Sequence, residues 1–166
     1  KNAIKFLLSG NAGAIFVVLY ASLFSLPAPF LPIHLLFINL LTDSLPAIAI
    51  GLEPHNKKRM KEKPRNIHEP LLNKKFVTQV GFEGLIIAAV TIIAFQIGLS
   101  TGSTAVATTM AFATLCLARL FHGFNCRSEQ SIFKIGIFSN LSVWIAFLLG
   151  FTILNTVLIV GLFEVT

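Results

Sequence analysis

Residues 39–47 read Asn39-Leu40-Leu41-Thr42-Asp43-Ser44-Leu45-Pro46-Ala47, placing an amide, a hydroxyl and a carboxylate inside an otherwise apolar stretch that runs over 33–52. A bilayer's hydrocarbon core takes about 20 residues of helix to cross, so this stretch is long enough to span one. Asn39, Thr42 and Asp43 stand at i, i+3 and i+4, a spacing that predicts one shared helical face. Asp43 lies near mid-span, where a carboxylate without a partner cannot face lipid. Pro46 follows, and a proline has no N–H, so the carbonyl of Thr42 loses its i+4 donor. Carboxylate, hydroxyl, amide and freed carbonyl are four kinds of hard oxygen at one depth. Such a set suits Ca²⁺, Mg²⁺ or Na⁺ rather than a soft metal, and helices interrupted in this way recur as cation sites in transporters. Taken singly, Asn39 or Thr42 reads more simply as a polar contact between helices; the cluster with Asp43 and Pro46 does not.

Four more stretches reach the same length, over 6–25, 76–99, 104–124 and 139–162. None alternates polar with apolar residues, and lipid offers no partner for backbone N–H and C=O, so all five are expected to be helices. The fold class that follows is all-α, a polytopic transmembrane bundle of about five spans. Charged residues make up 12% of the 166, against about 25% in soluble domains, and the mean hydropathy is +0.81; a soluble core is excluded. Sixteen Phe against one Trp and one Tyr point to lipid-facing bulk rather than a dense aromatic belt. Cys116 and Cys126 have no metal-type spacing and read as free structural thiols.

The connections differ by side. Leu26-Pro27-Ala28-Pro29-Phe30-Leu31-Pro32 predicts a tight turn that makes the first two spans a hairpin, and Ser100-Thr101-Gly102-Ser103 a second short turn. The segment 53–75 carries eight Lys and Arg among Pro54, Pro64 and Pro70. All 13 basic residues fall at the N-terminus, in this segment, or in the fourth span and the loop after it. The net charge of +6 is therefore a topological signal and not a nucleic-acid surface. Cytoplasmic loops collect Lys and Arg, so a multi-pass protein of the cell membrane is expected, with the N-terminus and loop 53–75 cytoplasmic and Glu164 outside. A first residue of Lys1, and an odd number of spans, lead to the expectation of a larger protein on both sides of this sequence.

Other polar residues fall inside the spans. Asn11 sits between Gly10 and Gly13, where small residues allow close helix approach, and is either a packing residue or a further ligand. Glu83 is expected to snorkel or to pair with a loop lysine. His34, Gln96 and Asn155 read as locally satisfied. Arg119, with His122 one turn on, has two arrangements open to it: snorkelling toward Arg127 or facing Asp43.

Residues 39–47 resemble the sixth transmembrane helix of P-type calcium ATPases. Gly51-Leu52-Glu53-Pro54 and Met60-Lys61-Glu62-Lys63-Pro64-Arg65 resemble that family's next loop, Ser9-Gly10-Asn11-Ala12-Gly13 its fifth helix, and Ser128-Glu129-Gln130-Ser131 the loop after its eighth. The resemblance covers essentially the whole chain, as helices five to nine of a ten-helix membrane domain. It implies ATP-driven Ca²⁺ export with proton counter-transport, with Asn39 and Asp43 as calcium ligands and Thr42 and Asn11 at positions of a neighbouring second site. It also implies a completing glutamate on a fourth helix, and Mg²⁺ and ATP acting on domains of the full-length protein that these residues do not include. The implied partners are the lipid bilayer, the remaining helices and the cytoplasmic domains of the same pump. Two-site pumps carry glutamates where this chain has Ala14 and Arg119. The loss of an oxygen ligand and the gain of a fixed cation leave an expectation of one Ca²⁺ site, with Arg119 as a built-in counter-ion. Competing readings are a pump for Mn²⁺ or another cation, a cation-binding fragment of a secondary transporter or channel, and a passive scaffold holding anionic lipid through 53–75.

Overall fold

The computed structural model describes residues 2–52, 73–127 and 140–164, and every regular element among them is helical. The basic segment up to residue 72 and the run Ser128-Glu129-Gln130-Ser131 lie outside the described residues. Helix α1 spans Asn2–Leu23. The second span is assembled from α2 (Pro32–Phe37), a π-helical turn (Ile38–Asp43) and α3 (Ser44–Gly51). Helices α4 (Lys74–Ser100), α5 (Thr104–Asn125) and α6 (Leu141–Glu164) complete five helices long and apolar enough to cross a membrane. The protein is a multi-pass membrane helix bundle.

The helix ends follow from local chemistry. At the end of α1, the Ser25 N–H bonds to the Ser22 carbonyl and the Leu26 N–H to the Ala21 carbonyl, with Ser25 in the left-handed region at φ 51°. This is a Schellman stop with serine in the position glycine usually takes, and Pro27 beyond it prevents continuation. Asn73 caps α4 by accepting from the Phe76 N–H at 2.8 Å, and Ser103 caps α5 by accepting from Val106. Between them Gly102 supplies the positive φ of 81° that the tight turn needs. Asn140 turns its Oδ1 to the Ser142 N–H at 2.9 Å at the start of α6. At the opposite end of α1, the Asn2 amide donates to the Arg127 carbonyl at 2.7 Å, which explains why the helix starts ahead of the apolar run.

Helix α4 packs against both α1 and α5, while α6 leans on α3 and α5. Small residues set the approach. A Cβ on Gly84 would lie 2.9 Å from the Ala12 Cβ and 3.0 Å from the Ser9 carbonyl oxygen, and one on Gly13 would lie 2.8 Å from Ile87. Gly98 faces the Ala107 backbone so closely that a side chain there has no room. Val17, Phe95, Ala107, Ala111, Leu115 and Cys116 form the dry centre. Large apolar side chains such as Leu19, Leu85, Ile93 and Ile159 point outward, as expected where lipid rather than water is the surrounding medium.

Gly98→Val is expected to destabilise the bundle by about 1–3 kcal/mol through overpacking. Gly81→Ala, where an added Cβ meets nothing within 4 Å, should stay within about 0.5 kcal/mol of the parent. Unfolding of the full-length protein in mixed detergent measures both.

Candidate ion site and its buried cation

The second span stays continuous through the polar run. Pro46 removes the α-helical donor for the Thr42 carbonyl, and the chain answers with one π-helical turn over Ile38–Asp43 instead of an unwound segment. Such turns absorb an irregularity while keeping the backbone bonded, and they concentrate at functional sites. Leu41, whose i+5 residue is Pro46, takes its carbonyl partner from the Ser44 N–H instead. The hydroxyl of Ser44 reaches back to the Asn39 carbonyl at 3.2 Å.

Residues that the α-helical spacing puts on one face differ in their surroundings. Thr42 and Asp43 are buried at 1% and 4% exposure, whereas Asn39 is exposed on the outside of the described bundle. Thr42 is committed locally, its hydroxyl donating to the Ile38 carbonyl at 2.8 Å. Asp43 points into the bundle, and there it meets Arg119 from α5.

Arg119 turns inward and does not snorkel. It is 1% exposed. One guanidinium nitrogen, Nη1, donates to both Asp43 oxygens at 2.6 and 2.7 Å. The other, Nη2, donates to the Asn11 Oδ1 of α1 at 2.9 Å. Nε has no hydrogen-bond partner among the described residues, and it lies against Gly10, where a Cβ would stand 3.0 Å away. The absent side chain of Gly10 is thus the space that the guanidinium fills. Three helices meet at this cation: α1 through Gly10 and Asn11, the second span through Asp43, and α5 through Arg119. Ala14 is buried one turn beyond Asn11 and offers no polar atom.

A second polar cluster lies further along the same α1–α5 seam. Glu83 of α4 pairs with Lys5 of α1 at 2.6 Å, so its partner is a residue of the first span and not of the basic loop. His122 Nε2 lies 3.4 Å from Glu83 Oε2, 2.7 Å from Ser9 Oγ and 3.2 Å from Cys126 Sγ. Residue by residue the sequence signalled this cluster only as isolated polar groups, because its members are brought together by helix packing. Cys116 and Cys126 are both free and buried. His34 stacks on Phe112 at 4.6 Å, Gln96 donates to the Tyr20 hydroxyl at 2.9 Å, and Asn155 donates to the Phe151 carbonyl at 2.8 Å.

A carboxylate and a fixed cation locked together inside a membrane bundle mark a candidate functional site. Residues 27–166 match the family described as cation transporting ATPase, C-terminus. The chain is 43% identical over 143 residues to the calcium-transporting ATPase of Bacillus subtilis, covering 85% of this chain and 16% of that protein. Calcium-transporting ATPase 1 of Bacillus cereus is 40% identical over 90% of the chain and 19% of its own length. A calcium-transporting ATPase of Listeria monocytogenes is 40% identical over 99% of the chain and again 19% of its length. The chain belongs to the P-type cation-transporting ATPases and corresponds to part of their C-terminal membrane region; it spans under one fifth of the length of these relatives.

The pair is asymmetric. A carboxylate left alone can take a proton, but a guanidinium cannot lose one. Asp43→Leu, which strands the Arg119 charge, is expected to destabilise by about 3–5 kcal/mol. Arg119→Met should be milder, and the double variant should recover most of the loss. A double-mutant cycle on detergent unfolding of the full-length protein reads the coupling.

Proposed function

We propose that this chain is the ion-conducting membrane portion of an ATP-driven calcium export pump, with one Ca²⁺ site built on Asp43 and proton counter-transport. The observation that carries the reading is the Arg119 cation held on Asp43 and Asn11. A hard dication needs several oxygen ligands, among which charged carboxylates set affinity. Asp43 is the one acidic residue of the second span, so Ca²⁺ binds at this carboxylate, beside the guanidinium. Arg119 is the resident counter-ion: it neutralises Asp43 when the ion is away, and it stands in the space of a second dication. Asn39 contributes a further oxygen from this span, while Thr42 and Asn11 stand at the positions of the neighbouring second site. The outward position of Asn39 suits a ligand shared with another helix of the whole pump, where the resemblance implies a glutamate. ATP and Mg²⁺ act on cytoplasmic domains of that whole protein. The relatives' names speak for Ca²⁺ over Mn²⁺.

Asp43→Asn in the full-length pump is expected to abolish Ca²⁺-dependent phosphorylation from ATP, and Asn39→Ala to weaken its calcium dependence less. Arg119→Met should keep calcium-dependent phosphorylation but alter its pH profile, because the fixed countercharge is gone. Unchanged calcium dependence in Asp43→Asn overturns the site, and an unchanged pH profile in Arg119→Met overturns the counter-ion role.

The orientation belongs to the same proposal. Lys5 and Arg127 lie at one end of the bundle, where the Asn2 amide donates to the Arg127 carbonyl, and Gly102 lies at the other. With the basic end cytoplasmic, a single cysteine at Gly102 is expected to react with a membrane-impermeant maleimide only from outside the cell.

A further inference from the structure

The cluster around His122 contains more than an ion pair. Glu83 Oε1 is occupied by the Lys5 ammonium at 2.6 Å and by the Gln79 amide at 3.1 Å. These two donors fix the carboxylate, and its other oxygen, Oε2, is buried without a hydrogen-bond partner among the described residues. That oxygen faces His122 Nε2 at 3.4 Å, and Cys126 Sγ lies on the same nitrogen at 3.2 Å. The three ligand atoms are all within 4.8 Å of one another. Ser9 already donates its hydroxyl proton to the Lys5 carbonyl, and one Nε2 cannot bond a hydroxyl, a thiol and a carboxylate through a single N–H, so several ligand-type atoms converge on one nitrogen.

We propose that Glu83, His122 and Cys126 form a binding site for a borderline-soft divalent ion of the Zn²⁺ or Cd²⁺ class, separate from the Asp43 site. A tetrahedral zinc stands about 2.1 Å from nitrogen and oxygen and about 2.3 Å from sulfur, which puts neighbouring ligand atoms roughly 3.4–3.6 Å apart. The two separations made by His122, 3.4 and 3.2 Å, lie within a few tenths of an ångström of these values, and Glu83 and Cys126, within 4.8 Å of each other, close on the ion by side-chain rotation. One carboxylate, one imidazole and one thiol form a zinc-type set, whereas Ca²⁺ calls for six or more oxygens. On binding, the Cys126 thiol proton leaves to solvent and the ion takes the Nε2 lone pair. Ser9 gives up its contact with Nε2 and keeps its bond to the Lys5 carbonyl at 2.7 Å; its hydroxyl or a water completes the fourth position. Lys5 is the nearby opposing charge, and it stays on Oε1, away from the ligating oxygen. Cys126 follows the last residue of α5, so the route from the membrane surface is short. The bound ion ties α4 to the end of α5 through side chains that the calcium reading does not use.

Titration of the metal-stripped full-length pump with Cd²⁺, followed by its ultraviolet thiolate-to-metal absorption, tests the site. A saturable band is expected that Zn²⁺ reverses and excess Ca²⁺ does not. It should vanish in Cys126→Ser, weaken at least about tenfold in affinity in His122→Gln and Glu83→Gln, and persist in Asp43→Asn. Persistence of the whole band in Cys126→Ser, or unchanged affinity in both His122→Gln and Glu83→Gln, overturns the proposal. The unaltered protein gives an independent reading: Zn²⁺ should slow maleimide modification of Cys126 at least about tenfold without protecting Cys116, and equal rates with and without Zn²⁺ overturn it. Because the Asp43 variant is read in parallel, loss of the calcium site and loss of this one are distinguishable.

Discussion

The bundle is organised around a guanidinium that cannot discharge itself. Arg119 stays protonated in any environment the protein offers, and at mid-span an isolated charge costs at least about 2.5–3.5 kcal/mol. Its position is tolerable because Asp43 supplies the opposite charge and Asn11 a neutral acceptor. Those demands propagate. The second span has to aim Asp43 inward, which the π-helical turn ahead of Pro46 allows. Helix α1 has to come close with no side chain at residue 10, because the guanidinium occupies that space. Helix α5 also carries Gly123, whose missing Cβ would lie 3.3 Å from Pro46, so it approaches the irregular stretch of the second span closely one turn beyond Arg119.

Much of this was legible in the residues. Five helices follow from apolar length alone, because lipid leaves the backbone no alternative. Asp43 and Arg119 stand out since charge inside a span demands a partner. The pairing of Arg119 was open from sequence, because a residue two turns from a basic loop has the reach to snorkel; only the closeness of α1 and the second span decides it. The separation of Asn39 from Thr42 and Asp43 was not legible. Pro46 announces a lost hydrogen bond, but whether the chain unwinds or inserts a π-helical turn, and which side of the span its neighbours cover, depends on what packs around it.

The Lys5–Glu83–His122–Ser9 cluster escaped for a related reason. Its members lie on three helices, 78 and 39 positions apart in the steps from Lys5 to Glu83 to His122, and no local spacing connects them. The glycines were the available signal. Gly84 stands next to Glu83, Gly10 lies within the Ser9–Asn11 segment and Gly13 just beyond it, so close approach of α1 and α4 brings Lys5 and Glu83 within reach of each other. Polar groups beside interfacial glycines are held nearer to a neighbouring backbone than lipid-facing ones, and this makes their pairing a packing question.

The described membrane interior carries matched charge: Asp43 against Arg119 and Glu83 against Lys5, each in contact. A dication arriving at Asp43 upsets that balance. With Arg119 retained, Asp43, Arg119 and the ion sum to two positive charges in a low-dielectric space, where the interaction between charges is strongest. Neutrality then requires further acidic ligands from outside these helices, displacement of the guanidinium toward water, or both. Among the described residues Arg119 has no second carboxylate free to move to, since Glu83 already holds Lys5. Under the proposed function its fixed charge sets a condition on an ion bound at Asp43: such a site would close only when other parts of the whole protein bring negative charge to it, coupling ion occupancy to helices beyond this bundle.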